Sequence, residues 1–364
     1  MFATIAGGYS RLPLTAQPDL LGEAERDLRE GRIDRAAHDA VADEFVREIL
    51  KEMTVVQLAM VGDGGVRARD RILPLIDGLE GLSAGEETTL PDGEAATRPI
   101  VDGPVRWTKP LFARDWEFAD NESEVLVKQT LIGPYTLATL AEPTSGRRRA
   151  DLATQFGEAL NEEIRSLVAV GCPIVEIDEP MALQIGDRST EWATFRTAHE
   201  RLTAGIDSPG DVHLSLGLWG GTIHESGHAS LLDRPYMSYL VDVLAGPSAW
   251  RFIDTVPPER GIVVGAADAH SETIDETEVL IWAMAWAAQG DRGSARVGVA
   301  PNGSLTFTSR HYAHRTCLRV GESVQIALIG PLQDVALALD EQPLVSKMPE
   351  LRVMAQAVET ARGS

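Results

Sequence analysis

Ile174-Val175-Glu176-Ile177-Asp178-Glu179-Pro180 reads as a short buried strand running into a turn. The apolar run is too brief for a helix, and the proline after Asp178-Glu179 holds the preceding backbone extended. Alternation along that backbone sends the two carboxylates to opposite sides. Asp178 is the one expected to face a ligand. Glu179 points toward the neighbouring helix as structural support, or adds a second substrate contact. Just upstream, Leu152, Phe156, Leu160, Ile164, Leu167 and Val168 recur at helical spacing, so the local unit is helix, then strand, then polar turn.

That unit repeats in both directions. Further short apolar runs that close on polar or glycine-rich residues lie at Ala3–Ala6, Gln57–Val61, Val127–Leu131, Val212–Leu216, Tyr239–Val243, Ile262–Ala266 and Arg296–Val299. Helix-period stretches separate them, among them the stripe Val41, Phe45 and Ile49 flanked by Val46, Leu50 and Met53. Eight such alternations predict an α/β fold of the (β/α)8 TIM-barrel type, taken as one unit over residues 1–364. Two stretches depart from the rhythm. Residues 84–97 are poor in apolar side chains and read as an exposed loop. Pro99–Trp107 with Lys109-Pro110-Leu111 suggests a hairpin arm inserted around residues 97–112.

In such a barrel, chemistry sits at the carboxyl ends of the strands. Arg11, Asp63, Asp178, Glu179, His213, Asp242, Asp268, His270 and Asn302 are all expected there. Composition narrows the partners. A 44% hydrophobic share with 24% charged residues is that of a soluble globular enzyme, and the formal net charge is −22. So acidic a surface repels nucleic acid and anionic membranes, which leaves a small-molecule substrate. Cys172 and Cys317 are too few for a disulfide framework or a C-x-x-C metal knuckle and are expected as buried free thiols. The opening residues lack the pattern of a signal peptide, and no apolar run reaches the ~20 residues of a membrane span. A cytoplasmic protein is the expectation, and the oligomeric state is not legible.

Several signatures in order along the chain resemble the cobalamin-independent methionine synthase family in its single-barrel form. Gly7-Gly8-Tyr9-Ser10-Arg11 is similar to the family's G-S-Y-P-R, and Asp63-Gly64-Gly65-Val66-Arg67 to its D-G-E-x-R. Val127-Lys128 through Gly133-Pro134-Tyr135-Thr136 resembles V-K-x-x-L-x-G-P-x-T. Gly171-Cys172 with Ile177-Asp178-Glu179-Pro180 matches A-G-C…I-D-E-P, and Gly265-Ala266-Ala267-Asp268-Ala269-His270-Ser271 resembles G-V-x-D-x-H-S. The resemblance implies methyl transfer from a methyl-tetrahydrofolate to the thiol of homocysteine, with zinc holding that thiol as thiolate. Carried over by position, the family's His, Cys, Glu and Cys ligands fall on His213, Ser215, Asp242 and Gly303. A serine hydroxyl is a poor zinc ligand and glycine offers none, so zinc is not expected and no resident cofactor is assigned. A tetrahydrofolate derivative remains the implied donor. The family's carboxylate-binding serine and amine-binding glutamate fall on Gly8 and Gly65. Each glycine serves a backbone with φ > 0, or together with Gly303 they widen the cavity for an acceptor bulkier than homocysteine.

The remaining chemistry centres on Asp268 and His270, two apart at a strand end. A carboxylate beside an imidazole makes a general acid or base near neutral pH, or simply caps the strand. Asp178 is then a substrate ligand, the Gly133-Pro134 turn a cavity wall, and Ser215 and Asn302 further contacts. Arg11, Asp63 and Arg67 line the same mouth, where the arginines clamp an anionic group or pair with carboxylates. His224-Glu225-Ser226-Gly227-His228 spells the zinc-protease H-E-x-x-H, but its glycines oppose the helix that motif needs. If any metal binds, His213, Asp242, His224 and His228 are the candidates. Three functions follow: a methyl or other one-carbon transferase, a metal-free lyase, cyclase or decarboxylase on the same barrel, or a binding protein descended from the enzyme. A true homocysteine methyltransferase with a non-standard metal site stands as a variant of the first.

Overall fold

The computed structural model describes residues 1–13, 18–143, 146–208, 210–271 and 276–329. The expected single unit over residues 1–364 thus extends beyond them. The barrel staves are β1 (Phe2–Ala3), β2 (Met60–Val61), the broken stave β5 (Leu126–Val127) and β6 (Gln129–Ile132), β8 (Ile174–Asp178), β9 (His213–Leu218), β10 (Ser238–Asp242), β11 (Gly261–Ala267) and β12 (Val297–Pro301). All neighbouring pairs are parallel, in the order β1-β12-β11-β10-β9-β8-β6 for the main sheet and β2-β5 for the smaller one. A bridge between Thr4 and Met60 joins β1 to β2, and the Lys128 N–H reaches the Val61 carbonyl at 2.8 Å. These links close the barrel of eight staves that the alternation predicts.

Amphipathic helices, Arg35–Val55 and Arg149–Ala169 among them, bury Val46, Ile49, Leu50 and Met53, and Phe156, Leu160 and Ile164, against the outside of the sheet. A smaller cluster of Ala6, Trp219, Leu240, Val263 and Ala300 fills part of the barrel interior. Both cysteines are buried free thiols, and burial pushes each up to about 12. No helix among the described residues is long and apolar enough to cross a membrane.

The arm differs from expectation. It is an antiparallel pair, β3 (Glu80–Thr89) and β4 (Ala95–Arg106), with its turn over residues 90–94. Most of the stretch read as an exposed loop is therefore strand, and the arm begins earlier than residue 97. The sequence misled because a hairpin with one open face needs few apolar side chains. Glycine is required at Gly81: φ is +81°, and a Cβ there would come within 2.4 Å of the Pro104 carbonyl. A third strand, β7 (Glu142–Pro143), pairs with β4.

Strand β9 matters most for function. The run expected at Val212–Leu216 is observed as His213–Leu218, and His213, as the first residue of the stave, lies at the amino end and is not a mouth residue. At about 3.3 Å per residue, His213 stands roughly 16 Å below the carboxyl end.

Candidate active site

Asp178 closes β8 and is fully buried at the carboxyl end of the barrel. Its Oδ2 accepts from Arg71 Nη1 at 2.6 Å and its Oδ1 from Trp219 Nε1 at 3.1 Å. A Cβ on Gly217 would lie 1.9 Å from that Oδ1, so the carboxylate can dock only because this stave carries glycine there. Burial pushes the Asp178 carboxyl up to about 7; the Arg71 guanidinium opposes the rise and the Glu176 charge adds to it.

Arg71 is the centre of the mouth. Its Nη2 also donates to Glu94 Oε2 at 2.7 Å, and its guanidinium lies 4.8 Å from the Trp219 ring centroid. Glu94 comes from the turn of the arm and is buried. Ser304 Oγ donates to Glu94 Oε1 at 3.2 Å, shares a hydrogen bond with Thr306 at 2.8 Å and accepts from the Gly8 N–H at 3.1 Å. Asp92, beside Glu94 on the same turn, is pushed up to about 6 by burial and by the Glu94 charge. Glu94, Ser304 and Trp219 carry no sequence signal of their own. Arg71 alone had a weak one, since it lies in the loop that follows Asp63 and Arg67.

The other half of the mouth is built on Asp242, which closes β10. It accepts from Asn302 Nδ2 at 3.2 Å and from the N–H groups of Leu244 and Ala245 at 3.0 and 3.1 Å. Burial pushes it up to about 6 against these bonds and the nearby His270. Asn302 also accepts from the Ala269 N–H at 2.8 Å, so it ties the turns after β10 and β11 together. Asp268 Oδ1 accepts from the backbone N–H of His270 at 2.8 Å and of Ser271 at 3.3 Å, the geometry of a turn cap. His270 is exposed at the mouth, and a Cβ on Gly303 would lie 3.2 Å from its Nε2.

Several expected site residues have other work. Glu179 is buried, accepts from the N–H groups of Tyr135 and Thr136 at 2.9 and 2.8 Å and meets His199 Nε2 at 2.9 Å. It thus caps the helix Pro134–Leu140 and is not free for substrate. Gly133 sits tightly against this carboxylate, since a Cβ there would come within 2.2 Å of Glu179 Oε1. Arg11 is held by Glu25 and the Val66 carbonyl, and Arg67 by Asp43 at 2.6 Å with Asp115 at 3.5 Å and Asp63 at 3.8 Å. Asp63 is raised by burial and accepts from the Gly65 N–H at 2.9 Å. Both arginines pair with carboxylates, while beside the cleft it lines Arg67 keeps a buried Nε and Nη2 without a hydrogen-bond partner among the described residues. His224 caps a short 3-10 turn through Ser226, while His228 packs edge-on against Phe252. H-E-x-x-H is therefore no continuous helix.

The positions onto which the resemblance carries the family's zinc ligands do not converge. His213 is at the opposite end of the barrel and bonds Ser238 at 2.8 Å, Ser215 lies two residues above it inside the barrel, and Gly303 offers no donor. Among the described residues, no three His, Cys, Asp or Glu side chains gather as a metal-holding group. What the mouth does offer is Asp178, Asp92 and Glu94 around the Arg71 guanidinium and Asp242 across from them, with Asp178, Asp92 and Asp242 raised towards neutral pH by burial. That arrangement suits a cationic substrate group and proton transfer.

A family profile described as "Cobalamin-independent synthase, Catalytic domain" matches residues 16–213. The methionine synthase of Sulfurisphaera tokodaii is 26% identical over 278 residues, which cover 76% of this chain and 77% of that protein. The 5-methyltetrahydropteroyltriglutamate–homocysteine methyltransferase of Thermosynechococcus vestitus is 25% identical over 264 residues, 70% of this chain but only 34% of that protein. The chain thus matches about a third of that longer relative's length. Among solved structures, a B12-independent methionine synthase from Shewanella sp. W3-18-1 in complex with selenomethionine superposes with TM-score 0.70 at 18% identity. That match covers 90% of this chain and 98% of the other, and at such identity it speaks for the fold alone.

Proposed function

The chain belongs to the cobalamin-independent methionine synthase family, and from that premise we propose that it transfers a methyl group to a small, amine-bearing acceptor held at the mouth of the barrel. The observation that carries this reading is Asp178, a buried carboxylate bonded to Arg71 and Trp219 where the staves end. With Glu94 and Asp92 beside it, negative charge exceeds the single guanidinium, which favours an ammonium group on the acceptor. The donor in this reading is a 5-methyl reduced folate, the compound for which one relative is named. The methyl–nitrogen bond of the donor breaks as the bond to the acceptor's nucleophilic atom forms. The acceptor gives up a proton and the donor nitrogen gains one. His270, exposed at the mouth and close to Asp242, is placed to move that proton, and Asp268 fixes the turn that carries it.

For an acceptor bulkier than homocysteine the three glycines give different support. A Cβ on Gly8 would lie 2.3 Å from Thr306 Oγ1, and the space beside Gly303 is taken by His270. Only Gly65 leaves room, since a Cβ there would come no nearer than 3.8 Å to Arg71. Homocysteine is therefore the first acceptor to try, with other amino-bearing nucleophiles after it.

The test is transfer of labelled methyl from 5-methyl-tetrahydrofolate to a panel of such acceptors by the purified protein. Label should reach at least one of them, and Asp178→Asn should raise KM for that acceptor about ten- to a hundredfold, the worth of one hydrogen bond to a charged group. Absence of both folate binding and transfer across the panel would sink the reading. It would favour a lyase-type reaction run by the near-neutral carboxyls Asp178 and Asp242.

A further inference from the structure

The amino end of the barrel holds a separate cavity of about 420 Å³. It exists because facing residues are small. Ser215 on β9, Ser238 on β10 and Gly261 on β11 stand side by side in register, where bulky branched residues ordinarily fill a closed eight-stranded barrel. The walls are largely apolar, with Phe2, Met60, Met237 and Val263 among them. Six polar side chains interrupt them, of which Glu259 and Arg296 are exposed and the other four lie deeper. His213 and Ser238 share a hydrogen bond of 2.8 Å, and Glu176 accepts from Lys128 Nζ at 2.6 Å. Ser215, only 3% exposed, has a buried Oγ with no hydrogen-bond partner. The Lys128–Glu176 pair separates this cavity, which Glu176 lines, from a mouth-side cleft lined by Lys128, Asp63, Arg67 and Arg71. The two spaces are therefore distinct.

We propose that the basal cavity binds a small, uncharged, mainly apolar molecule carrying one hydroxyl, which hydrogen-bonds to Ser215. The volume falls in the range of sites that enclose small ligands, about 300–1,000 Å³. An unpaired buried hydroxyl costs about 1–3 kcal/mol, which a ligand hydroxyl relieves. Charge is disfavoured in the buried part beside Ser215, where Glu176 is already matched by Lys128 and the other charged lining residues, Glu259 and Arg296, are exposed to solvent. The inference is independent of the methyl-transfer reading, since none of these groups belongs to the mouth.

The experiment uses the full chain with 13C-methyl methionine, because Met60 and Met237 line the cavity while Met53 is packed in the main core. The probe is 2-naphthol, with naphthalene as its hydroxyl-free counterpart. Saturable shifts of the Met60 and Met237 methyl signals, with Met53 unmoved, are expected on adding 2-naphthol. Ser215→Ala should weaken 2-naphthol about three- to tenfold and leave naphthalene unchanged, the methionine spectrum itself reporting that the variant is folded. Unshifted Met60 and Met237 signals, or equal weakening of both probes by Ser215→Ala, would overturn the proposal.

Discussion

Asp242 shows how burial sets the behaviour of a carboxyl even when three donors surround it. Its native pKa of about 6 exceeds the ~3.9 of an unfolded aspartate, so the folded chain binds that proton more tightly. The stabilisation this provides is complete below about pH 4 and is lost as the pH rises through about 6. Asp242→Asn cannot ionise and lacks that loss. Urea denaturation across pH 4 to 7 should therefore show wild-type stability falling by about 2–3 kcal/mol more than that of Asp242→Asn. Equal slopes would mean that the carboxyl is less buried than it looks. At this scale sequence reading succeeded where chemistry follows position in a repeat. Asp178, Asp242, Asp268, His270 and Asn302 do lie at the ends of their staves. It failed for His213 because that residue opens its stave, at the amino end, whereas the motif match placed it with the mouth residues at the carboxyl ends.

The arm is the element that distinguishes this mouth. Its turn carries Asp92 and Glu94 over the barrel, and the turn is closed by a Leu90 N–H to Glu94 carbonyl bond of 2.8 Å. What anchors it is the buried Glu94–Arg71 pair. Removing one partner leaves a charge in a poorly solvated place, so Glu94→Ala should loosen the turn while sparing the staves. Hydrogen exchange at the Leu90 and Gly93 amides is expected to speed up tenfold or more, with the Leu216 amide of β9 unchanged. Unchanged exchange at Leu90 would show that backbone pairing of β3 with β4 suffices to place the tip. The arm's second strand buries Ala96, Val101 and Val105 in the main core, whereas its first strand is exposed or half-buried, which is why only the second half of the arm was legible in the sequence.

At the scale of the whole molecule, the barrel interior is unusual in burying an ion pair along its axis. Lys128 Nζ donates to the Ile5 carbonyl at 2.7 Å and to Glu176 at 2.6 Å, both side chains being almost wholly buried. Lys128→Met should destabilise the protein by about 3–5 kcal/mol because Glu176 is left unpaired, and Lys128→Met with Glu176→Leu should recover most of that. Urea midpoints of the three proteins decide it: a double variant no better than the single would mean that packing, not charge, is at stake. The sequence by itself determined the eight staves, their helices and the family, because hydrophobic period and turn chemistry are local properties that each unit repeats. Only the tertiary structure decided who meets at the mouth. Arg71 reaches Asp178 across 107 positions and Ser304 reaches Glu94 across 210, distances over which no local pattern carries information. Barrel closure brings those groups together, and it also leaves the amino end hollow where small residues of successive staves fall in register.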